Sequence, residues 1–417
     1  MGGQTGGIMA TTGDASGQPQ GVRGKFTGTE GQFFRLALIG NLLLIPTFGF
    51  YRFWLTTDIR RHLWSHTSIG GEALEYTGRG RELLIGFLIA MAILTPLYTG
   101  YFLLSLEAER WQAFASVPLF LIIYVLMHYG SYRARRYRAT RTVFRGVRLW
   151  MTGSGWAYAA RAVLWDVLTV VSLGLAFPWR ASALERYRMS HTHFGDVPGS
   201  FAGRGWVFFK RGWWLWLLAM LLPIGGLIMF GALKVFGAYG GGESIPQSVQ
   251  YAPLISLIFW LPILMFGYPL YQAIAIRWRL EGLRFGALSI TSDLRKRGVL
   301  WAYGKAMLIS SVALGVAGIV AQVIMDSVGF SFESFGNSET PPLSVLALFI
   351  GFYILGLLGF AIVTQLFITR GIWQLAVESV TVANLAALDD AVARGAAASG
   401  LGEGLADALD FGGGIGV

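Results

Sequence analysis

A few polar side chains stand in an otherwise apolar chain, and their placement decides which chemistry is open to it. Asn41 and Asp166 fall within two short apolar segments, Phe34–Tyr51 and Ala159–Pro178, with Arg161 five residues before Asp166. Gln272, Gln322 and Gln365 fall within longer apolar runs. Amides and charges are costly in such surroundings, so each marks either a polar cavity or a hydrogen bond that holds helices together. The second role is the commoner. A cavity would be lined by an Asp166–Arg161 pair, or by Asn41 facing Asp166 across a pseudo-twofold axis. His62, His66, His191 and His193 invite imidazole ligation of a metal, but no HExxH frame or carboxylate at fixed spacing accompanies them. A turn in which Thr67 or Thr192 caps a following segment accounts for them more simply. Gly153-Ser154-Gly155 lacks the frame of a nucleophile elbow. Arg79 and Arg204, each between two glycines, suit a lipid phosphate or a plain turn, and Trp54 and Trp179 suit the membrane interface. No acid–base, nucleophile or metal set converges, so the residues point away from an enzyme and call for no cofactor.

The elements that must position these groups follow from composition. Hydrophobic residues make up 54% of the 417 and charged residues 13%, about half the ordinary charged share of roughly 25%. Such a chain cannot coat a globule in water. With no cysteine, disulfides, thiolate metal sites and a Cys nucleophile are excluded. Six apolar runs approach the length of about 20 residues that a bilayer core needs: Leu83–Leu106, Ala113–Tyr129, Gly212–Phe236, Tyr251–Ile276, Ala302–Met325 and Leu343–Thr369. The expectation is therefore an all-α polytopic membrane protein. It has about six full transmembrane helices plus two shorter re-entrant or interfacial ones (eight spans being the alternative), and a small cytoplasmic β element. Phe26-Thr27-Gly28 and Phe144-Arg145-Gly146 are its expected partner strands for residues 68–80. Residues 1–24 read as a disordered tail and 395–417 as a Gly/Ala-rich acidic one, with units at 25–130, 131–276 and 277–394 between them.

Lysine and arginine crowd into four connections, five in Arg52–Glu82, eight in Ser131–Arg161, six in Trp179–Arg211 and seven in Arg277–Lys305. The remaining connections hold six acids and one base, Arg110. The positive-inside rule then puts the basic connections and both termini in the cytoplasm. The net charge of +10 faces anionic lipid headgroups rather than nucleic acid. Protein partners and homo-oligomers are left open by this pattern.

The chain also repeats itself. At a fixed offset of 125 residues, Gly49 meets Gly174, Trp54 meets Trp179 and Arg61 meets Arg186. Ser65-His66-Thr67 falls on Ser190-His191-Thr192 and Gly78-Arg79-Gly80 on Gly203-Arg204-Gly205. Duplication is the expected source, with a diverged third copy from about Leu283.

These residues resemble the YjgN-like family of bacterial inner-membrane proteins, a group of unknown function. The likeness rests on Asn41-Leu42-Leu43, Thr47-Phe48-Gly49-Phe50-Tyr51, Trp54, Arg60-Arg61, Thr67, Gly70, Tyr76 and Gly78. It continues through Gly174, Pro178-Trp179, Arg186-Tyr187 and the tail Gly402–Asp410. Phe53 stands where a Pro is usual, and Asp166 where an Asn like Asn41 is usual. The resemblance implies a bacterial inner membrane and an all-helical core, and brings no catalytic residue or ligand with it. The expected role is transport or channel-like handling of a lipid or small amphipathic solute between duplicated halves. The alternative is a membrane scaffold that holds partners through its basic face and acidic tail.

Overall fold

The computed structural model describes residues 21–107, 112–239, 252–328 and 343–409. Helical excursions alternate with β-hairpins. Strand β1 (Val22–Phe26) leads into α1 (Glu30–Leu42) and α2 (Arg52–Ser65), followed by β2 (Thr67–Ile69), β3 (Glu72–Ala73) and β4 (Glu75–Tyr76). Helices α3 (Gly80–Glu107) and α4 (Gln112–Arg141) lead to β5 (Thr142–Phe144) and β6 (Val147–Met151). Helices α5 (Gly155–Val171) and α6 (Phe177–Ser190) lead to β7 (Thr192–Phe194) and β8 (Val197–Phe201). Next come α7 (Gly205–Tyr239), α8 (Ala252–Gly282), β9 (Leu283–Phe285) and β10 (Leu288–Ser292). Helix α9 (Lys296–Val328) precedes α10 (Leu343–Val363), which passes through a π-helical turn, Thr364–Arg370, into α11 (Gly371–Glu378). Strand β11 (Val380–Ala383) and α12 (Leu401–Ala408) complete the described chain.

The expected all-α architecture is overturned by the sheet. Eleven antiparallel strands form one continuous sheet in the order β3-β2-β1-β11-β10-β9-β8-β7-β6-β5-β4. The strands at its two ends are halves of one extended stretch, Glu72–Tyr76, so the sheet closes on itself into a near-barrel. Phe26 does pair with Thr67, and Tyr76 with Thr142, the partners expected for residues 68–80. They belong to a much larger ring than a small element. Strand β1 also starts inside the segment expected to be disordered. The ring escaped the sequence because its strands are only two to five residues long; runs so short show no alternation that stands out among helices.

The count of spans is corrected too. Among the described residues three helices are long and apolar enough to cross a membrane, Gly80–Leu103, Lys296–Ser327 and Val345–Glu378, not six to eight. Residues 108–111, 240–251 and 329–342, which hold most of the acidic connections, lie outside the described residues.

Local chemistry explains the ring. Four hairpins turn in two residues each, Gly70-Gly71, Arg145-Gly146, Gly195-Asp196 and Gly286-Ala287. Positive φ at Gly70 and Gly71, and at Arg145 and Gly146, matches the primed turns whose twist suits antiparallel strands. The fifth pair, β1 with β11, joins the two ends of the chain. Every outgoing strand reaches its helix through three residues: 27–29, 77–79, 152–154, 202–204 and 293–295. Thr29 and Ser154 cap α1 and α5 with their hydroxyls. Ahead of the three longer excursions the same place is held by Arg79, Arg204 and Arg295. Both ends of each hairpin run into helices, so the helices leave one side of the ring and the turns face the other. Phe144, Phe194, Leu288, Val380, Val382 and Leu388 fill the ring interior.

Elements 125 residues apart coincide: α2 with α6, β2 with β7, and the starts of α3 and α7. Phe48 and Leu173, each ahead of a glycine, both adopt φ of +50°. A hydrogen bond from Gly49 to Leu44, and from Gly174 to Thr169, closes each turn.

Candidate functional site

Two of the histidines, His66 and His191, lie at helix ends. His66 and His191 each place Nδ1 at 2.7 and 2.8 Å from the carbonyls of His62 and Tyr187, and Thr67 and Thr192 donate to Leu63 and Arg188. The Ser-His-Thr triplet thus finishes the preceding helix instead of capping a following one. His193 stacks on Trp150 at 4.7 Å, apart from the His62–His66 pair. Among the described residues no three His, Cys, Asp or Glu gather as metal ligands. Burial first, then His66 and Arg370, pushes the His62 imidazole down to about 4.

The intramembrane candidates find separate partners. Asn41 is buried on α1 and donates to Ala37 O at 2.7 Å and to Gln365 Oε1 at 2.9 Å. Gln365 lies in the π-helical turn, a local widening that often re-aims a side chain. Asp166 pairs with His128 at 2.9 Å and with Arg180. Arg161 donates instead to Ala157 O and lies over the Tyr187 ring, so the expected Asp166–Arg161 pair is absent. Gln272 donates to the Tyr268 hydroxyl and Gln322 to Asp326. Trp54 stacks on Tyr51, and Trp179 packs with Trp206 and Phe209. Arg79 and Arg204 lie at the helix starts. Ser154, the serine weighed as a nucleophile, is the α5 cap.

Farther along α5, Thr169 borders a cavity. The α5–α6 turn, with Thr169, Gly174 and Phe177, faces Gly212 and Trp216 of α7 and Tyr271 of α8 around about 410 Å³. Trp216 holds the turn by donating Nε1 to Leu173 O at 2.9 Å. A second cleft of about 420 Å³ opens between α1 and α2, bordered by Tyr51, the Asp58–Arg61 ion pair and His62.

Two buried ionic knots went unforeseen. On α4, Arg135, Arg138 and Arg141 form a ladder whose carboxylates are Glu185, Glu403 and Glu82. Glu185, on α6, holds Arg135 at 2.6 Å and Arg188 at 3.1 Å. Burial alone would raise its pKa, but these arginines and Arg279 outweigh burial and hold it down at about 2. Glu403, on α12, holds Arg60 at 2.5 Å and Arg138 at 3.2 Å. Against its burial, they too hold its pKa below the ordinary value. Arg60, only 2% exposed, also donates to Tyr76. Sequence reading assigned these bases to a loop facing lipid and Glu403 to a partner-holding tail; both are engaged within the chain. The signal available was the i, i+3, i+6 spacing of the three arginines.

Fold and site together define a class: apolar helices rising from one side of a nearly closed antiparallel ring, three of them among the described residues long and apolar enough to cross a membrane, with a largely apolar cavity among them. Residues 22–408 match the family described as "Bacterial protein of unknown function (DUF898)", and the chain belongs to that family. It is 23% identical over 341 residues, 70% of this chain and 82% of the relative, to "Inner membrane protein YjgN" of Salmonella typhimurium. It is 22% identical to the protein of the same name from Escherichia coli K12, over 36% of each chain. No solved structure matches.

Proposed function

We propose that the chain is an inner-membrane protein that takes the acyl part of a lipid, or another small amphipathic solute, into the cavity at the α5–α6 turn. The observation that carries this reading is the cavity itself, about 410 Å³ and walled by Leu175, Phe177, Phe208, Leu215, Trp216 and Ile274. That volume is within the range of about 300–1,000 Å³ usual for small-ligand sites, and so apolar a wall receives hydrocarbon in preference to ions or water. The names of the relatives support the membrane assignment. The arginines ahead of the three longer excursions support contact with anionic headgroups. A cation at a helix N-terminus opposes the macrodipole, so Arg79, Arg204 and Arg295 are better explained by phosphates outside the helix than by helix stability. On this reading the ring and both termini are cytoplasmic, and the 125-residue coincidence of elements descends from a duplication.

Gly212 supplies the test. It borders the cavity, and no atom lies within 4 Å of the place a β-carbon would take, so Gly212→Phe fills the void without disturbing the fold. Native mass spectrometry of the purified parent should show retained lipid, reduced about tenfold in the variant at unchanged unfolding temperature. An identical lipid complement in both proteins sinks the proposal.

A further inference from the structure

The knot at Glu403 is built unlike the rest of the molecule. Past β11 the chain crosses all four hairpin turns: Asn384 donates to Ala287 O, Leu385 packs on Gly70, Asp389 pairs with Arg145, and the Val392 amide donates to Asp196. Gly395, at φ +91°, then redirects it. The Ala398 amide donates to Thr140, and α12 lies between α3 and α4 with Gly404 against the Gly86 backbone. Small residues make most of this contact. Leu405, against Ala90 and Leu94, is the one large apolar side chain that the helix buries fully among its described residues. Ala408 and Leu409 pack beside it, and Glu403 adds an ion pair to this close backbone contact.

That carboxylate satisfies the buried Arg60 and the partly buried Arg138; an unpaired buried charge is strongly unfavourable, so Arg60 requires an anion. At the position equivalent to Arg60 the chain places Glu185 inside α6, so buried charge here can be balanced without a terminal segment. We propose that Arg60, Arg138 and Tyr76 form a receptor for a phosphate group, occupied at rest by the chain's own Glu403, and that residues 396–409 are a clip that leaves when phosphate enters. A phosphate offers more acceptor oxygens than a carboxylate to the same guanidinium donors, in the geometry arginine pairs bind best. The Tyr76 hydroxyl accepts from Arg60, which leaves its own O–H to donate. The receptor is separate from the α5–α6 cavity.

The absence of native cysteine makes the test clean. In the full chain carrying Ala408→Cys, maleimide labelling reports whether the clip is open. Labelling is compared in chloride and in inorganic phosphate at equal ionic strength, and in phosphatidylcholine vesicles with and without phosphatidate. Phosphate or phosphatidate should speed labelling about tenfold; a response to the free ion identifies soluble phosphate as sufficient, and a response to phosphatidate alone identifies a headgroup. Adding Glu403→Gln should make labelling fast without phosphate, and adding Arg138→Gln should abolish the phosphate response. Gly212→Phe should leave the response intact, which separates failure here from failure of the lipid cavity. Equal rates in every anion and vesicle, with Glu403 in place, overturn the proposal whether or not the Glu403→Gln variant folds.

Discussion

The two helix–turn–helix units, residues 30–65 and 155–190, share their turn geometry, their tryptophan and their Ser-His-Thr ending, and differ in how they neutralise buried charge. In the first, α2 carries Arg60, and the opposing carboxylate arrives from 343 residues away. In the second, α6 carries Glu185, and the opposing arginines come from the neighbouring α4, from α6 itself and from Arg279 on α8. One arrangement is integral to the helix packing. The other depends on a terminal segment seated in a groove. Identical local frames can thus hold one permanent and one removable ionic lock.

The largest test strikes the permanent lock. Glu185→Ala leaves Arg135, Arg188 and Arg279 facing one another, and a buried pair broken on one side costs about 3–5 kcal/mol. Urea unfolding in detergent should show that loss in the whole molecule, and a change under about 1 kcal/mol would contradict the integral role. Gly404→Ala strikes the removable lock. A β-carbon there collides with the Gly86 backbone, an overpacking worth roughly 1–3 kcal/mol. Hydrogen exchange should rise in residues 396–409 while the ring and α6 keep their protection; global unfolding instead would erase the contrast.

Acid distinguishes the locks with the same sign and different extents. The Glu185 carboxyl titrates at about 2 in the folded chain against an ordinary 4.5. Its contribution is therefore complete above about pH 4.5 and is lost as the pH falls toward 2, on the order of 3 kcal/mol. Glu403 is also depressed and loses its contribution in the same direction, but its protonation should free the tail before the molecule unfolds. Limited proteolysis along an acid titration should cut residues 396–409 first. Glu185→Gln should flatten the later, global limb.

How much of this was legible follows from range. The turn glycines, the tryptophans and the histidine triplets act within a few residues, so their spacing announced them, even where the role of His66 and His191 differed. Phe26 and Phe144 marked true strands because each ends one, Phe144 at the Arg145-Gly146 turn and Phe26 at the connection into α1. The closed ring did not announce itself: strands of so few residues take their stability from neighbours drawn from the whole chain. The arginine ladder was counted as loop charge because α4, at 30 residues, runs well past its apolar part. Neither Glu403 for Arg60 nor Gln365 for Asn41 has any local signal, since each partner is brought in by tertiary packing.

The smallest expected effect lies two residues from Arg60. His62 corresponds to Tyr187 in the second unit, so only the first unit carries an imidazole there. Burial and its cationic neighbours favour the neutral ring, with the folded pKa at about 4 against 6.5. Stability from that preference is complete above pH 6.5 and is lost as the pH falls toward 4, because the unfolded chain takes up the proton first. The ring is only half-buried, so solvent screening reduces the effect to about 1 kcal/mol or less. His128, also lowered by burial, adds a slope of the same sign, so His62→Gln should reduce the slope between pH 6.5 and 4.5 and leave the Glu185 limb below pH 4.5 untouched. If the slope is undiminished in the variant, it arises elsewhere, and the two units no longer differ in their response to mild acid at this position.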